Sequence, residues 1–396
     1  MRDRLPRGRP ALPLLFAAAA LVRAPLLAAP PTLSDDVYRY VLDGRLAWLG
    51  VNALEVPPRD LERFVPAERL AMLSRDSVLV RVNHPHLASI YPPVAEGAFA
   101  LLARAGAGPR GFRIAFALCD LVATWALARL LARRGHSPWG AVLFALHPLS
   151  ALESAGSGHA DAFAVALLAL TWERSEAGGR TASALAWCGA ALVRPMALLA
   201  GPFQFARWGL ARSILAAFVA ACGLLGLVLA SRAAGEASGA LAFAQHWRHN
   251  DLLYAGALAL GLPVTLARAA GFLAAGLVGA FLFTRRAPPV TAYAWCALLL
   301  LAFAPVLHPW YVLPLLVAAP ALDGPGPRGT AFVLASVVLA TYVVPGIAGV
   351  PLGPTPGFRI LPIEVRVWEL APVALVGLWE VIRAGQQLGR PRGRPH

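Results

Sequence analysis

The sequence predicts an all-α fold, a polytopic transmembrane helical bundle with about 11–13 membrane segments. Of its 396 residues, 58% are hydrophobic and only 14% are charged, and the mean hydropathy is +0.62. Apolar runs of about 18 or more residues recur along the chain, whereas a soluble core does not need them. The alternation of polar and apolar residues that a membrane barrel requires is absent. Because lipid offers no hydrogen-bond partners, the crossing segments must be helices.

The apolar runs and the polar stretches between them indicate one integral-membrane domain over residues 1–396. We assign an N-terminal tail and first span to 1–30, a long polar loop to 31–90, the remaining helical bundle to 91–383 and a basic tail to 384–396. The first apolar run is similar to a secretory signal, but Arg23 interrupts it and no clean cleavage site follows, so we expect an uncleaved span. The later apolar runs cover approximately 91–105, 111–132, 138–153, 160–172, 182–202, 213–231, 252–284, 290–306, 310–321, 329–346 and 363–383.

The basic residues indicate how the chain is oriented. All 35 are arginines, the formal net charge is +14, and most lie in short loops and the two tails. This is the positive-inside distribution of a membrane protein and not a nucleic-acid-binding patch, so we expect no nucleic-acid partner. The 31–90 loop then lies on the extracytoplasmic side and carries short juxtamembrane helices. This topology requires that the run 91–105 does not cross fully and that the run 182–202 reverses at Arg194-Pro195.

The same orientation brings the acidic and histidine residues outside the arginine-rich loops to the extracytoplasmic side. They are Asp35, Asp36, Asp43, His84, Glu153, His159, Asp161, His246, Asp251, His308 and Glu364. A random scatter would not separate these residues from the basic loops. The sequence therefore predicts one polar, chemically equipped face on an apolar scaffold.

The densest cluster of charge follows the first span directly, at Ser34-Asp35-Asp36-Val37-Tyr38-Arg39-Tyr40 and Asp43-Gly44-Arg45. A carboxylate at the start of a helix is stabilised by the helix dipole, and a salt bridge to Arg39 would add to this. That interpretation explains one aspartate. Adjacent Asp35 and Asp36 followed by Asp43 favour a second interpretation, in which one carboxylate takes the proton of an attacking sugar hydroxyl.

Further motifs carry two interpretations each. His84-Pro85 and Ile90-Tyr91-Pro92-Pro93 form either a rigid turn or a wall of a substrate cleft. The stretch from Glu153 to Asp161 is either a tight turn between helices or a site at which His159 and Asp161 bind phosphate or sugar hydroxyls. A metal site there would need more ligands.

Arg194, inside an apolar run, requires an anionic partner, which is either a carboxylate or a substrate phosphate. His308-Pro309-Trp310-Tyr311 is either part of the interfacial aromatic belt or a rim that stacks on sugar, and the stretch from Gln245 to Asp251 has the same ambiguity. The four cysteines lie in apolar runs without metal-ligand spacing, and we find no nucleotide-binding motif.

In this order and spacing, the motifs resemble those of the GT-C class of integral-membrane glycosyltransferases, and they look closest to its bacterial mannosyltransferase-like branch that uses polyprenyl-phosphate mannose. The matching elements are Ser34 to Tyr40 with Asp43-Gly44-Arg45, Asn83-His84-Pro85 with Ile90-Tyr91-Pro92-Pro93, Glu153 to Asp161, Arg194-Pro195, and His308 to Tyr311. They extend over most of the chain. One departure is Asn52-Ala53-Leu54, where the branch usually has Asn-Pro-Tyr.

The resemblance implies a GT-C-like fold and an inverting transfer of a hexose, with mannose the family-weighted choice, from a polyprenyl-phosphate donor to a hydroxyl acceptor. The general base would be Asp36 or Asp35, and we prefer Asp36. We expect substrate binding from Arg39, Asp43, Arg45, His84, Tyr91, Glu153, His159, Asp161, Arg194, His308, Trp310 and Tyr311. The acceptor would be a glycan, lipid or protein, with membrane lipids as the other partners.

The implied location is the bacterial inner (cytoplasmic) membrane, crossed several times, with the active site on the extracytoplasmic side. We expect no cofactor, and a requirement for a divalent cation is left open. The alternative function is a transporter or lipid flippase without transferase activity, which would share the apolar scaffold and the intramembrane arginine. Such a protein should carry polar residues near the midplane and an internal repeat, and the sequence shows neither.

Overall fold

The computed structural model describes residues 12–342 and 363–388, and these residues form an all-α bundle. The predicted fold class is therefore confirmed. The helices of the first half are α1 (Leu12–Ala28), α2 (Asp36–Trp48), α3 (Ala67–Leu73), α4 (Val78–Arg81), α5 (Pro93–Arg104), α6 (Pro109–Arg133), α7 (Val142–Ala145), α8 (Pro148–Ala151), α9 (Asp161–Glu176) and α10 (Arg180–Ala191). Those of the second half are α11 (Phe205–Trp208), α12 (Leu210–Ala233), α13 (Gly239–His246), α14 (Leu252–Ala259), α15 (Val264–Thr284), α16 (Pro289–Ala302), α17 (Leu313–Ala318), α18 (Arg328–Val337) and α19 (Ile363–Leu388).

Within residues 12–342 and 363–388, three helices, α6, α12 and α15, are long and apolar enough to cross a membrane by length and composition. Only 17% of the apolar window of α12 or α15 is buried within the protein, so leucine and phenylalanine side chains cover their outer surfaces. Exposed apolar surface of this extent is expected where lipid replaces water as the solvent. The chain is therefore a membrane protein in which α12 and α15 face lipid.

Glycine and proline divide several apolar runs into shorter helices. The run 252–284 is interrupted at Gly261 and Pro263, which separate α14 from α15. The run 182–202 is interrupted after Ala191, and Arg194 has an extended backbone before a short 3₁₀ turn. Proline cannot donate the helical hydrogen bond, which accounts for both breaks.

The centre of the bundle is α6 packed against α9, which packs in turn against α10. The facing surfaces are rich in alanine and leucine, and small residues let helix backbones approach closely in lipid. A buried ion pair between Arg23 and Asp120 joins α1 to α6, and Arg23 also donates to Ser150 Oγ at 3.0 Å. The first span is thus fixed to the scaffold that carries the polar face.

The 31–90 loop forms short helices, and the largest of them, α2, is buried against α5. Gly44 makes this contact possible, because a Cβ atom there would lie 2.3 Å from the Phe99 carbonyl oxygen. One turn earlier, the buried ring of Tyr40 stacks on Phe99 at 4.7 Å and meets Tyr91 edge-on at 4.9 Å. This aromatic packing fixes the start of α2, where the two aspartates lie.

Candidate active site

One cavity of about 220 Å³ opens beside the N-terminus of α2. It joins segments that are far apart in sequence: the start of α2, the end of the 31–90 loop, the α10 break and the segment after α16. Its lining residues are Thr32, Leu33, Ser34, Asp35, Asp36, Arg39, Asn83, His84, Leu87, Ala88, Ser89, Ile90, Tyr91, Arg194, Gly239, Trp247, His308, Trp310 and Tyr311. Four of the five motif groups noted in the sequence therefore contribute directly to one cavity.

The two adjacent aspartates have different partners. Arg81 Nη2 donates to Asp35 Oδ1 at 2.8 Å, and Arg81 also donates to the Tyr38 hydroxyl at 2.6 Å. Asp36 Oδ1 instead accepts a hydrogen bond from the neutral amide of Asn83 at 2.6 Å. Neither aspartate side chain makes a capping hydrogen bond to α2, and the backbone N–H of Asp36 is bonded to Ser34 Oγ at 3.2 Å. Capping hydrogen bonds therefore account for neither carboxylate.

Arg39 does not pair with these aspartates. It lies against Asp43 one turn later, with its Nε 3.1 Å from Asp43 Oδ1, and it donates to the Leu87 carbonyl at 2.9 Å. Burial raises the pKa of Asp43, and the charge of Arg39 opposes this shift. The pair joins α2 to the wall of the cavity, where Arg39 itself is part of the lining.

Behind Asp36 lies a buried histidine. His159 Nε2 is 3.6 Å from Asp36 Oδ2 and 3.1 Å from Ser34 Oγ. Its Nδ1 is 2.6 Å from Glu153 Oε2, and the other oxygen of Glu153 accepts a hydrogen bond from the Tyr342 hydroxyl at 2.7 Å. His159 and Glu153 are both 0% exposed, so this network is closed to bulk solvent.

The turn that presents His159 is built from one π-helical turn, Leu152–Ser157, and Gly158 in the left-handed region at φ +76°. A Cβ atom at Gly158 would lie 2.6 Å from Arg113 Cγ. Arg113 donates to the Ala155 carbonyl at 2.9 Å and to the Ala29 carbonyl at 2.6 Å. These contacts join the end of α1 to the His159 turn.

A stack of rings extends from His159 to His249. The Trp310 ring lies 3.8 Å from that of His159 and 4.4 Å from that of His308, and His308 stacks on His249 at 4.5 Å. Burial, the nearby histidines His249 and His159, and Arg194 lower the pKa of His308 well below its usual value. His308 is therefore neutral at physiological pH.

Arg194 also lines the cavity. Its Nη2 donates to Asp161 Oδ2 at 2.6 Å, and its guanidinium carbon lies 5.5 Å from the Tyr91 ring and 5.6 Å from the Tyr311 ring. Its Nε has no hydrogen-bond partner among the described residues. Of the two partners expected for Arg194, a carboxylate is thus present, while the cavity remains accessible to the guanidinium.

At the end of the 31–90 loop, His84 lies beside Trp247 in the cavity lining, with ring centroids 4.9 Å apart. His84 has φ +47°, a left-handed conformation that is costly for a residue other than glycine and is frequent at functional sites. Burial, and then the neighbouring His86, lower the pKa of His84. This end therefore offers flat, neutral rings of the kind that stack on sugars.

The predicted substrate-binding residues divide into three groups. Arg39, His84, Tyr91, Arg194, His308, Trp310 and Tyr311 line the cavity, together with Asp35 and Asp36. Asp43, Glu153, His159 and Asp161 lie behind the lining as partners of residues described above. Arg45 lies elsewhere, bonded to Asp76 at 2.6 Å and to the Leu73 and Arg75 carbonyls.

The sequence analysis names neither Arg81 nor Tyr342, and it includes Asn83 only within the Asn83-His84-Pro85 motif. These three residues determine how Asp35, Asp36 and Glu153 differ. Of the residues expected on the polar face, Asp251 lies apart from the cavity and pairs with Arg248 and Arg366. Within residues 12–342 and 363–388, no three histidine, cysteine or acidic side chains form a group that could hold a metal ion.

Comparison with known proteins gives one finding. Residues 2–212 match the family model of the MptA_B family, described as alpha-(1->6)-mannopyranosyltransferase, N-terminal domain. No curated protein and no solved structure matches the chain. The matched region includes the first span, the 31–90 loop, the His159 turn and Arg194.

Proposed function

Because the chain belongs to the MptA_B family and is a mannosyltransferase of the membrane, we propose that it transfers mannose from a polyprenyl-phosphate donor to a hydroxyl group of a glycan acceptor, with inversion, at the extracytoplasmic face. The observation that carries the proposal is the position of Asp36 and Arg194 on the walls of one cavity. A base and a phosphate-binding cation in one cavity are the two groups that transfer from a lipid phosphate to a hydroxyl requires.

In this proposal Asp36 is the general base. Its carboxylate takes the proton of the acceptor hydroxyl while the hydroxyl oxygen forms a bond to the anomeric carbon. Asp35 is engaged by Arg81, whereas Asp36 is held by a neutral amide and has no arginine partner within the described residues. Asn83 fixes the orientation of Asp36 without neutralising its charge. These contacts favour Asp36 over Asp35 for the role.

Arg194 stabilises the leaving group. As the bond from the anomeric carbon to the phosphate oxygen breaks, its electron pair stays on the polyprenyl phosphate, and a guanidinium in a water-poor site stabilises that developing charge. Asp161 and the rings of Tyr91 and Tyr311 hold Arg194 in place. The polyprenyl tail would lie in lipid against the exposed apolar helices.

The stereochemistry follows from a single displacement. Attack from the side opposite the phosphate inverts the anomeric carbon, so an α-linked product requires a β-linked donor. The neutral rings of His84 and Trp247 are suitable for stacking on the acceptor sugar.

The direct test uses purified protein in lipid nanodiscs with β-linked polyprenyl-phosphate mannose and an α-mannoside acceptor. We expect release of polyprenyl phosphate equal in amount to a new α-(1→6) linkage, identified by NMR of the product. A product formed with retention, or formed only from a nucleotide sugar, would contradict the proposal. Movement of the lipid donor across vesicles without any new glycosidic bond would favour the transporter alternative.

The side of the membrane is tested separately with single-cysteine variants of a cysteine-free protein. Asn52→Cys reports the 31–90 loop, and His136→Cys reports the arginine-rich end. A membrane-impermeant maleimide should label Asn52→Cys in intact spheroplasts and should label His136→Cys only after lysis. The reverse pattern would place the cavity in the cytoplasm and rule out an extracytoplasmic donor.

A further inference from the structure

The Glu153–His159 pair lies behind Asp36, and the proposed base reaction gives these two residues no role. Both side chains are 0% exposed, and His159 Nδ1 is 2.6 Å from Glu153 Oε2. Tyr342 donates to the second oxygen of Glu153 at 2.7 Å. No arginine forms an ion pair with Glu153 in the part of the chain that the structure describes. A buried carboxylate without an arginine is costly, which calls for a reason beyond folding.

When the imidazole is neutral, the hydrogen bonds select one of its tautomers. The Glu153 carboxylate can only accept, so His159 Nδ1 carries a proton and donates it to that bond. Nε2 then holds a lone pair, which accepts from the Ser34 hydroxyl at 3.1 Å. Ser34 Oγ in turn accepts from the Asp36 backbone N–H at 3.2 Å. The basic nitrogen of His159 is therefore on the side of Asp36, with its Nε2 3.6 Å from Asp36 Oδ2.

The ring cannot turn away from this position. The His159 backbone N–H bonds to the Glu153 carbonyl at 2.8 Å across the left-handed Gly158. The Trp310 ring covers one face of the imidazole at 3.8 Å. A base held by an orienting carboxylate and aimed at a second group is the arrangement by which proteins move protons.

We propose that the Glu153–His159 pair is a second proton acceptor that returns Asp36 to its carboxylate form after each transfer. The inference rests on the proposed function of Asp36. After the acceptor hydroxyl proton has moved to Asp36, the Oδ2–H bond breaks and the proton joins His159 Nε2. The imidazolium is then paired with the Glu153 carboxylate, and once the product leaves, Nε2 passes its proton to the Ser34 hydroxyl, which lines the cavity and gives up its own proton to water there. His159 and Glu153 act through Asp36 and are positioning residues.

The proposal makes turnover depend on a neutral His159. Carboxylates face the ring from three elements, namely Glu153 on the π-turn, Asp36 on α2 and Asp161 on α9. His308 lies beyond the Trp310 ring that stacks on His159, and Arg194 is paired with Asp161. Burial alone would lower the pKa of His159, but the hydrogen bond and charge of Glu153, with Asp36 and Asp161, leave it raised. Activity is therefore lost as the pH falls through this raised pKa.

The test is the pH dependence of kcat from about pH 5 to about pH 9, the range in which a histidine titrates. Glu153→Gln removes the charge that stabilises the imidazolium. The acid limb of the pH profile, in which kcat falls as the pH is lowered, should therefore move to lower pH by about one unit or more. The maximum kcat should fall about tenfold. Glu153→Asp keeps the charge and should restore the limb towards that of the wild type. His159→Gln should abolish the histidine limb. His136→Gln, at the arginine-rich end, should change neither quantity.

Two outcomes separate this inference from the proposed function. Full activity in Asp36→Asn would refute the assignment of the base and the inference with it. An inactive Asp36→Asn together with an unshifted acid limb in both Glu153→Gln and His159→Gln would overturn the inference alone. Folding is checked by size-exclusion chromatography, and if Glu153→Gln fails to fold, the decision rests on Glu153→Asp and His159→Gln.

Discussion

Two buried glutamates, one on each side of the body of α9, have different partners. Glu153 precedes α9 and Glu173 lies in its last turn, and both are 0% exposed. Glu153 is bonded to His159 and Tyr342. Glu173 accepts from Arg129 and Arg133, each at 3.0 Å, and from Arg174. The carboxylate without an arginine thus lies on the turn before α9, and the carboxylate with three arginines lies at the other end of that helix.

The partners of the two glutamates distinguish a carboxylate that stabilises the fold from one that can take part in proton transfer. Arginine stays protonated at all physiological pH values, so a carboxylate that arginines surround forms permanent ion pairs that hold helices together. We call the Glu173 ion pairs the clamp at Glu173. Histidine gains and loses a proton near neutral pH, so its carboxylate partner can support proton movement. The same contrast recurs between neighbours, since Asp35 pairs with Arg81 and Asp36 with Asn83. We infer that the reacting groups are the carboxylates without an arginine.

Arg194 is the exception to this contrast, because it pairs with Asp161 and also lines the cavity. Arg194→Lys keeps a cation beside Asp161 but loses the planar guanidinium that matches phosphate. We expect kcat/KM for the lipid donor to fall about 10- to 100-fold, equivalent to about 1.4–2.7 kcal/mol.

The matched control for Arg194 is Arg129→Lys, which changes one of the arginines on Glu173 and should leave kcat/KM unchanged. An equal loss in both variants, measured in steady-state assays, would mean that Arg194 acts only in folding.

The clamp at Glu173 should matter for stability and not for chemistry. Glu173→Gln leaves three arginines facing a neutral amide, and we expect a loss of about 2 kcal/mol, seen as a lower Tm in detergent. The acid limb of kcat in the folded protein should stay where it is in the wild type. If Glu173→Gln shifted that limb as far as Glu153→Gln does, the contrast between the two glutamates would be wrong.

Two glycines allow the His159 turn to be tested against a matched position. Gly158 and Gly178 have φ of +76° and +78°. A Cβ atom added at Gly158 would meet Arg113, whereas one added at Gly178 would point into open space. Each alanine substitution should cost about 1–2 kcal/mol of backbone strain, since a Cβ atom disfavours the left-handed region. Gly158→Ala should in addition lower kcat about tenfold, because it displaces His159. Equal kcat values for the two variants would show that the turn does not position the histidine.

The ring stack should contribute least. Trp310→Phe shortens the surface that covers His159 and His308, and aromatic pairs of this kind contribute about 0.5–1.5 kcal/mol. We expect kcat/KM to fall about three- to tenfold, as measured against Trp125→Phe at the arginine-rich end. A smaller loss for Trp310→Phe than for Trp125→Phe would argue against a role for the stack in the site.

Much of this organisation can be predicted from the sequence, because hydropathy and short motifs are local. The sequence predicts an N-terminal tail and first span within residues 1–30, and α1 covers Leu12–Ala28. Asp36 and His308 lie at the edges of apolar runs and Arg194 lies inside one, and all three line the cavity. Scarcity of charge makes such residues conspicuous in a membrane protein.

The pairings could not be predicted, because they join residues distant in sequence. Arg81 and Asn83 lie at the end of a polar loop in which charged and polar residues are common, and nothing local marks them as partners of Asp35 and Asp36. Tyr342 reaches Glu153 from the other half of the chain. Arg45 follows the aspartate motif closely, but the helical rotation of α2 turns it towards Asp76 and away from the cavity.

The most direct test of the account is a comparison of Asp36→Asn with Asp35→Asn, measured as the rate of polyprenyl phosphate release by purified protein. We predict that Asp36→Asn loses activity about 10³-fold, within the range for removal of a general base, and that Asp35→Asn stays within about tenfold of the wild type. A larger loss in Asp35→Asn, or turnover of Asp36→Asn close to that of the wild type, would contradict the assignment of the base.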